Sequence, residues 1–367
     1  MNIGMVCFPT YGGSGVVATE LGMALAEKGH KVHFMSYSQP FRLNRLLDNL
    51  YFHEFNVNDY PLFDYQPYES VLASKIVDVA VFEQLDLLHV HYAIPHASVA
   101  YTAQQILKSK KIQLPYITTL HGTDITLVGR DPAFEPVIRF SLNQSNAITA
   151  VSESLKKDTL NTFKIDNAIR VIPNFITLKE FEFNPEPKPA SEFVLAHISN
   201  FRKVKRIEDV IRIFEKINRS IPAKLILAGD GPEKSAIERL VREFNLQSSV
   251  HFVGMVTDPK TILKAADIFL LPSETESFGL SALEAMAMGV PVISSNSGGL
   301  PEVNRHGSTG WLFDVGDVES MAQAALDLFS NRDLYNSFRM QARRVAAQFD
   351  ISQILPQYEA LYLQWIS

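Results

Sequence analysis

The sequence predicts an α/β protein of two doubly wound domains, each built on a parallel sheet. Three observations carry this. Short apolar runs alternate with longer stretches of helical periodicity from the first residues onward, the mark of repeated βα units. A segment with three prolines and little helical pattern, residues 181–192 (FEFNPEPKPASE), then interrupts the alternation and reads as a boundary. The same alternation restarts at Phe193. The domains are therefore expected at residues 1–175 and 190–349, with the mostly helical residues 317–367 closing the chain.

In the first half, residues 2–8 read as a buried strand. The turn PTYGGSG at residues 9–15 leads into a helix at 16–28 and a strand at Lys31–Ser36. Residues 39–50 (QPFRLNRLLDNL) set Arg42 and Arg45 among leucines and read as a covering segment near a site mouth, with docking to a lipid surface as the alternative. Residues 70–83 are helical, 86–89 form a strand, and His91-Tyr92 open the next turn. His89 and His91 have the i, i+2 spacing of strand neighbours, but no carboxylate or cysteine nearby completes a metal set. Strand Tyr116–Leu120 runs straight into His121-Gly122-Thr123-Asp124, where a histidine and hydroxyls at a strand's carboxyl end are well placed for a site, the alternative being a turn in which Asp124 caps the next helix. A helix at 133–144, a strand at 147–151, a helix at 153–163 and a strand at 170–172 complete the half. In the second half, strands fall at Phe193–Ile198, 224–228, 250–253, Ile268–Leu271 and 291–294, with helices such as 206–219 and 232–244 between them.

Composition narrows the class. With 46% apolar residues in 367, the chain can fill two cores. Lys plus Arg is 34 against 40 Asp plus Glu, a net charge of −6. That balance argues against nucleic acid, which demands a basic face, and weakly against a strongly anionic membrane. No apolar run is long enough to span a bilayer, and MNIGMVCFP lacks the basic leader of a signal peptide, so a cytoplasmic protein without membrane insertion is expected. The single cysteine, Cys7, lies in the first strand and reads as a small buried hydrophobe. A homo-oligomer is compatible with the sequence, and nothing in it requires one.

The chemistry concentrates at strand ends, where open α/β sheets bind ligands. The stretch SETESFGLSALEAMAMGVP, from Ser273, places Glu276 on a loop and Glu284 in the helix after it, an E-x7-E spacing. A helix start favours an anion such as a diphosphate, and a carboxylate in apolar surroundings needs a polar partner such as a sugar hydroxyl. A solvated glutamate explains the spacing equally well. Strand Phe193–Ile198 leads into Ser199-Asn200-Phe201-Arg202-Lys203-Val204-Lys205-Arg206, where four cations fall within five residues. Such a run is either a solvated loop or a phosphate site. Ser14, Tyr92 and Thr119 sit at or just past strand ends of the first half, and the amides of Gly13 and Ser14 suit an anionic ligand. A packed tyrosine and a capping serine are the ordinary alternatives.

Taken together, PTYGGSGVVATELG, HYAIPHA, TTLHGTDIT, SNFRKVKR, GDGPEKS and ESFGLSALEAMAMGVP resemble the retaining glycosyltransferases of family 4, over essentially the whole chain. The resemblance is greatest to the branch that serves bacillithiol synthesis. It implies the GT-B fold, two Rossmann-like domains facing across a cleft, with the final helix (residues 350–367) crossing back to the first. It implies transfer of N-acetylglucosamine from UDP-N-acetylglucosamine to the hydroxyl of L-malate with retention, without metal or cofactor. In such front-face substitution the leaving phosphate takes the acceptor's proton. Cations that stabilise the diphosphate would then be the main electrostatic contribution.

Residue by residue, the resemblance gives catalytic roles to His121, Arg202, Lys205 and Glu276. It gives donor binding to Gly13, Asn200, Arg202, Lys205, Glu276, Ser277, Phe278, Gly279, Leu280 and Glu284, and acceptor binding to Gly13, Ser14, Tyr92 and Thr119. The family's usual arginine position holds Asn200, with Arg202 two residues on, so which cation meets which phosphate stays open. Other readings are a family 4 enzyme with a lipid or glycan acceptor, a nucleotide-sugar epimerase, and a non-catalytic UDP-sugar-binding regulator.

Overall fold

The computed structural model describes residues 1–10, 12–43, 47–57, 66–186 and 193–366, with the backbone alone at Arg130. Arg45, and the last six residues of the proline-rich boundary, lie outside this set. The chain divides into two compact units: residues 1–174 together with 351–367, and residues 175–350.

The first unit is organised on seven parallel strands, β1 (Asn2–Val6), β2 (Lys31–Ser36), β3 (Leu50–Glu54), β4 (Leu87–His91), β5 (Tyr116–Leu120), β6 (Ala147–Ala150) and β7 (Ile169–Val171). Their order is β3-β2-β1-β4-β5-β6-β7. The second unit has six parallel strands, β8 (Phe193–Ile198), β9 (Ala223–Ala228), β10 (Val250–Gly254), β11 (Ile268–Leu271), β12 (Val292–Ser295) and β13 (Gly310–Phe313), ordered β10-β9-β8-β11-β12-β13. The inner strands are closed off on both sides because helices cover both faces of a parallel sheet. β4, β5, β11 and β12 are buried throughout their length.

Two strands escaped the sequence reading, β3 and β13. Both lie at sheet edges and are only partly buried, so neither makes an uninterrupted apolar run. β3 also begins where residues 39–50 were expected to be a covering segment.

In both sheets the order reverses beside the first strand, between β1 and β4 and between β8 and β11. Loops leaving the carboxyl ends on either side of such a reversal diverge and open a crevice. In the first unit these loops carry Ser14 and Tyr92; in the second they carry residues 199–206 and 273–279. The last helix, Ile351–Tyr362, belongs to the first unit. It is held there by Tyr362, whose hydroxyl lies 2.7 Å from His89 Nδ1, and by Glu359, 2.9 Å from His30 Nε2.

Candidate active site

In the first unit, the loop after β1 enters the helix Gly13–Glu27. Gly12 precedes it in an extended conformation and offers no side-chain cap, so the first-turn N–H groups of Gly13 and Ser14 have no helical carbonyl to bond. The Ser14 hydroxyl lies 2.5 Å from the Tyr92 hydroxyl. Tyr92 holds the left-handed φ of 89°, uncommon for a bulky residue and a form of strain that clusters at functional sites. Its ring packs 5.3 Å from that of His121. Three predicted residues, Ser14, Tyr92 and His121, therefore converge.

Thr119 is fully buried beneath them. Its hydroxyl lies 2.7 Å from His89 Nε2 and 2.6 Å from Thr149 Oγ1. It supports the layer that carries the other three.

Asp124 does not cap a helix. It lies inside the short helix Thr123–Thr126, and its carboxylate accepts from the backbone N–H groups of Ala93 (2.7 Å) and Gly122 (2.9 Å). Two neighbouring amides define an acceptor better than one helix end does, and the result is a brace between the loops after β4 and β5. Burial raises this carboxyl to about 6, against the opposing pull of those N–H groups.

His91, noted in the sequence only for its spacing from His89, also belongs to this layer. It is fully buried, its Nδ1 lies 2.8 Å from His121 Nε2, and its own Nε2 has no partner. A buried N–H without an acceptor is rarer than a bare acceptor. The proton of His91 is therefore best placed on Nδ1, donating to His121 Nε2. That arrangement puts the His121 proton on Nδ1, the nitrogen left for a ligand. Burial holds His121 neutral, lowering it to about 3, with His96 adding to the effect. His121 is thus built as a neutral hydrogen-bond donor. The only sequence signal for His91 was its two-residue offset from His89, which places both rings on one face, 4.4 Å apart.

In the second unit, β11 ends at Leu271 and the loop beyond it carries Glu276. The Glu276 carboxylate takes two bonds, from Lys205 Nζ (2.6 Å) and from Ser273 Oγ (2.8 Å). Lys205 comes from the loop after β8, which the N–H of Glu274 joins by donating to the Val204 carbonyl at 2.8 Å. The two loops at the second reversal are therefore tied by a side-chain ion pair and a main-chain bond. Gly298 supports Glu276 from behind: its φ is +58°, and an added Cβ would stand 2.0 Å from the Glu276 carbonyl oxygen. Gly298→Ala is expected to displace this loop and disturb the Lys205–Glu276 pair, lowering the Tm, which thermal melts would measure.

Gly279 turns the chain into the helix Leu280–Ala287, where Glu284 lies buried; Phe278 is buried against Phe349, and Ser277 and Leu280 are half-buried. Among the four cations, Arg202 and Lys203 are exposed, as is Asn200. Arg206 instead donates to Asp209 at 2.6 Å across the first turn of the helix Ile207–Ser220. Arg206→Ala should therefore cost up to about 1 kcal/mol of stability and spare kcat, the reverse of a phosphate-binding residue. Denaturant titration and steady-state kinetics on the same preparation would separate these effects.

Comparison with known proteins decides the family. Residues 11–180 match the signature described as Glycosyltransferase Family 4, and residues 179–345 that described as Glycosyl transferases group 1. The N-acetyl-alpha-D-glucosaminyl L-malate synthase of Bacillus anthracis is 46% identical over 370 residues, covering 99% of this chain and 96% of that protein. The chain belongs to glycosyltransferase family 4. A shorter match to this family 4 enzyme, 37% identical over 142 residues, is the 2-deoxystreptamine N-acetyl-D-glucosaminyltransferase of Niallia circulans, with 38% of this chain and 36% of that protein covered.

Solved structures agree on the fold. Sucrose-phosphate synthase from Thermosynechococcus elongatus has a TM-score of 0.82 at 23% identity, with 99% of this chain and 98% of that one aligned. The Anabaena protein HepE, in complex with UDP and glucose, also has 0.82, at 19% identity, with 98% and 99% aligned. The two Rossmann-like domains are those of the GT-B fold. No helix among the described residues of this glycosyltransferase is long and apolar enough to cross a membrane.

Proposed function

We propose that the chain transfers N-acetylglucosamine from UDP-N-acetylglucosamine to the hydroxyl of L-malate, with retention and without a metal. The observation that carries this reading is the near full-length identity to a protein named for that product. The site chemistry supports it from two sides. In the second unit, Lys205 with Glu276 and the exposed Arg202 form a polar set suited to a sugar diphosphate, and Glu284 lies in the helix behind them. In the first unit, the amides of Gly13 and Ser14 and the hydroxyls of Ser14 and Tyr92 suit a small dicarboxylate. The neutral His121 donates to a sugar oxygen without adding a positive charge. The leaving diphosphate takes the acceptor's proton, and Arg202 and Lys205 stabilise its growing charge. Cys7 is buried and its thiol is pushed up to about 12, as suits a structural residue in a reducing cytoplasm.

The deciding experiment supplies UDP-N-acetylglucosamine with a panel of 2-hydroxy acids and follows UDP release. Release that depends on malate and yields an α-linked product supports the proposal. Release without acceptor, or with a lipid or glycan only, overturns it.

Acceptor binding has a separate signature. Ser14→Ala and Tyr92→Phe should each raise the KM for malate about tenfold, since a hydrogen bond to a charged group is worth about 1.5 kcal/mol or more. UDP affinity should stay unchanged. Because the two hydroxyls bond each other, the double variant should cost less than the sum of the singles. Equal losses for both substrates would instead mean a packing role.

A further inference from the structure

We propose that His33, His53 and Glu83 form a binding site for a divalent transition-metal ion of the Zn2+ or Co2+ kind, remote from the transferase site. His33 lies on β2 and His53 on the edge strand β3. The register pairs His33 with Tyr51 and Met35 with His53, so both imidazoles project from one face of the sheet. Glu83 is the last residue of the helix Tyr68–Glu83, which packs on that face. The ligand atoms of the three side chains all lie within 4.8 Å of one another.

The ligand chemistry and spacing fit a borderline cation. Two imidazoles and a carboxylate with one position left for water is a set that Zn2+ accepts. Metal–ligand bonds of about 2.0–2.1 Å set tetrahedral ligand atoms roughly 3.3 Å apart. His33 Nδ1 and His53 Nε2 are already 2.9 Å apart, so the carboxylate needs to close by at most about 1.5 Å, within reach of a side-chain rotation.

The ligands are also held in place before any ion binds. His33 is fully buried, with its Nδ1 turned toward His53. The Tyr51 ring stacks on His33 at 4.6 Å and 13°, which fixes the imidazole plane. Glu83 occupies the helix carboxyl terminus, where exposed carbonyls favour a cation, and the Asn2 amide donates to its backbone carbonyl and holds it in place. His53 and Glu83 are half-buried, so an ion has a route in from solvent.

Glu83 comes four residues before β4 begins, whereas the transferase loops leave the carboxyl ends of the strands. The ion would fasten the exposed edge strand β3 to a helix, at a position where a sheet otherwise presents unpaired backbone. Its role is structural, and it takes no part in sugar transfer.

The test uses the full chain stripped with chelator and titrated with Co2+ and Zn2+. Bound metal, the visible absorption of four-coordinate Co2+ and the Tm are followed. One equivalent should bind to the unaltered chain and raise its Tm. His53→Gln and Glu83→Gln should each weaken binding by more than the ~10–100-fold that loss of an outer-shell partner costs. Neither residue is fully buried, so both variants should fold without metal, which circular dichroism checks. His30→Gln, altering another histidine–carboxylate pair (Glu359, 2.9 Å), should bind as the unaltered chain does. No stoichiometric uptake, unchanged affinity in either ligand variant, or loss in the His30 variant overturns the proposal. None of these readouts depends on the sugar acceptor.

Discussion

Lys205→Ala is expected to lower kcat by about 10²–10³-fold, the loss seen when one preorganised charge-stabilising donor is removed from an active site. The KM for the nucleotide sugar should move much less. The ground for this is the way the ammonium is held. Its Nζ is fixed 2.6 Å from Glu276 Oε1, an oxygen that Ser273 Oγ also bonds at 2.8 Å. A cation placed before the reaction begins needs no reorganisation when charge grows on the leaving diphosphate. Arg202→Ala should act in the same direction with a smaller effect, because the exposed Arg202 must first be ordered. Steady-state kinetics with varied donor checks both. A rise in KM at constant kcat would assign these residues to uniform binding instead.

The second large effect concerns acid. Burial holds five histidines of the first unit neutral: His89 and His121 are lowered to about 3, His96 and His33 to about 4, and His91 well below its ordinary value of 6.5. Their folded values lie below the unfolded one. Above pH 6.5 neither state binds protons at them and there is no penalty. As pH falls below 6.5 the unfolded chain takes up five protons that the folded unit refuses, so stability drops. Asp124, raised to about 6, works the other way between pH 6 and its ordinary 3.8, and offsets one of the five. Four net protons at about 1.4 kcal/mol per pH unit each give a loss of roughly 5 kcal/mol per pH unit near pH 5. Typical domain stabilities of about 5–15 kcal/mol would then be spent within a few pH units. Among the described residues of the second unit, His197 is the one histidine lowered in this way, to about 4. Denaturant melts at pH 7.5, 6 and 5, with hydrogen exchange assigned to each unit, should show the first unit failing first. Flat stability over that range would refute the cluster's neutrality.

What the chain disclosed before its structure follows from periodicity. Tyr116–Leu120, Phe193–Ile198 and Ile268–Leu271 were legible to the residue, because they are short runs of mostly apolar or β-branched residues that turn residues punctuate. Leu50–Glu54 and Gly310–Phe313 were not, because an edge strand spends half its side chains on solvent. The rule that ligands meet strand carboxyl ends located the loops holding Ser14, Tyr92, His121, Lys205 and Glu276. It could not rank residues within a loop. Thr119 and His121 are two positions apart, yet one is sealed against His89 and Thr149 and the other lies beside Tyr92. Each partner is about thirty residues distant in sequence, beyond any local pattern. Arg206 and Asp209 show the opposite case. Their i, i+3 spacing announced an ion pair, and the surrounding basic run obscured it.

The placement of helix Ile351–Tyr362 has a consequence for how the polypeptide is made. The second unit is an insertion: its residues 175–350 are contiguous, while the first unit draws on both sides of it. On the ribosome the seven strands of the first sheet emerge early, but Tyr358 and Tyr362, which close over His89, arrive only after the whole second unit has been translated. The nascent first sheet must wait with the histidine of its central strand uncovered, while the inserted unit can finish folding on its own. A ribosome that stalls or terminates near residue 350 would therefore release a complete second unit tethered to an unsealed first one, a natural substrate for chaperones and proteases.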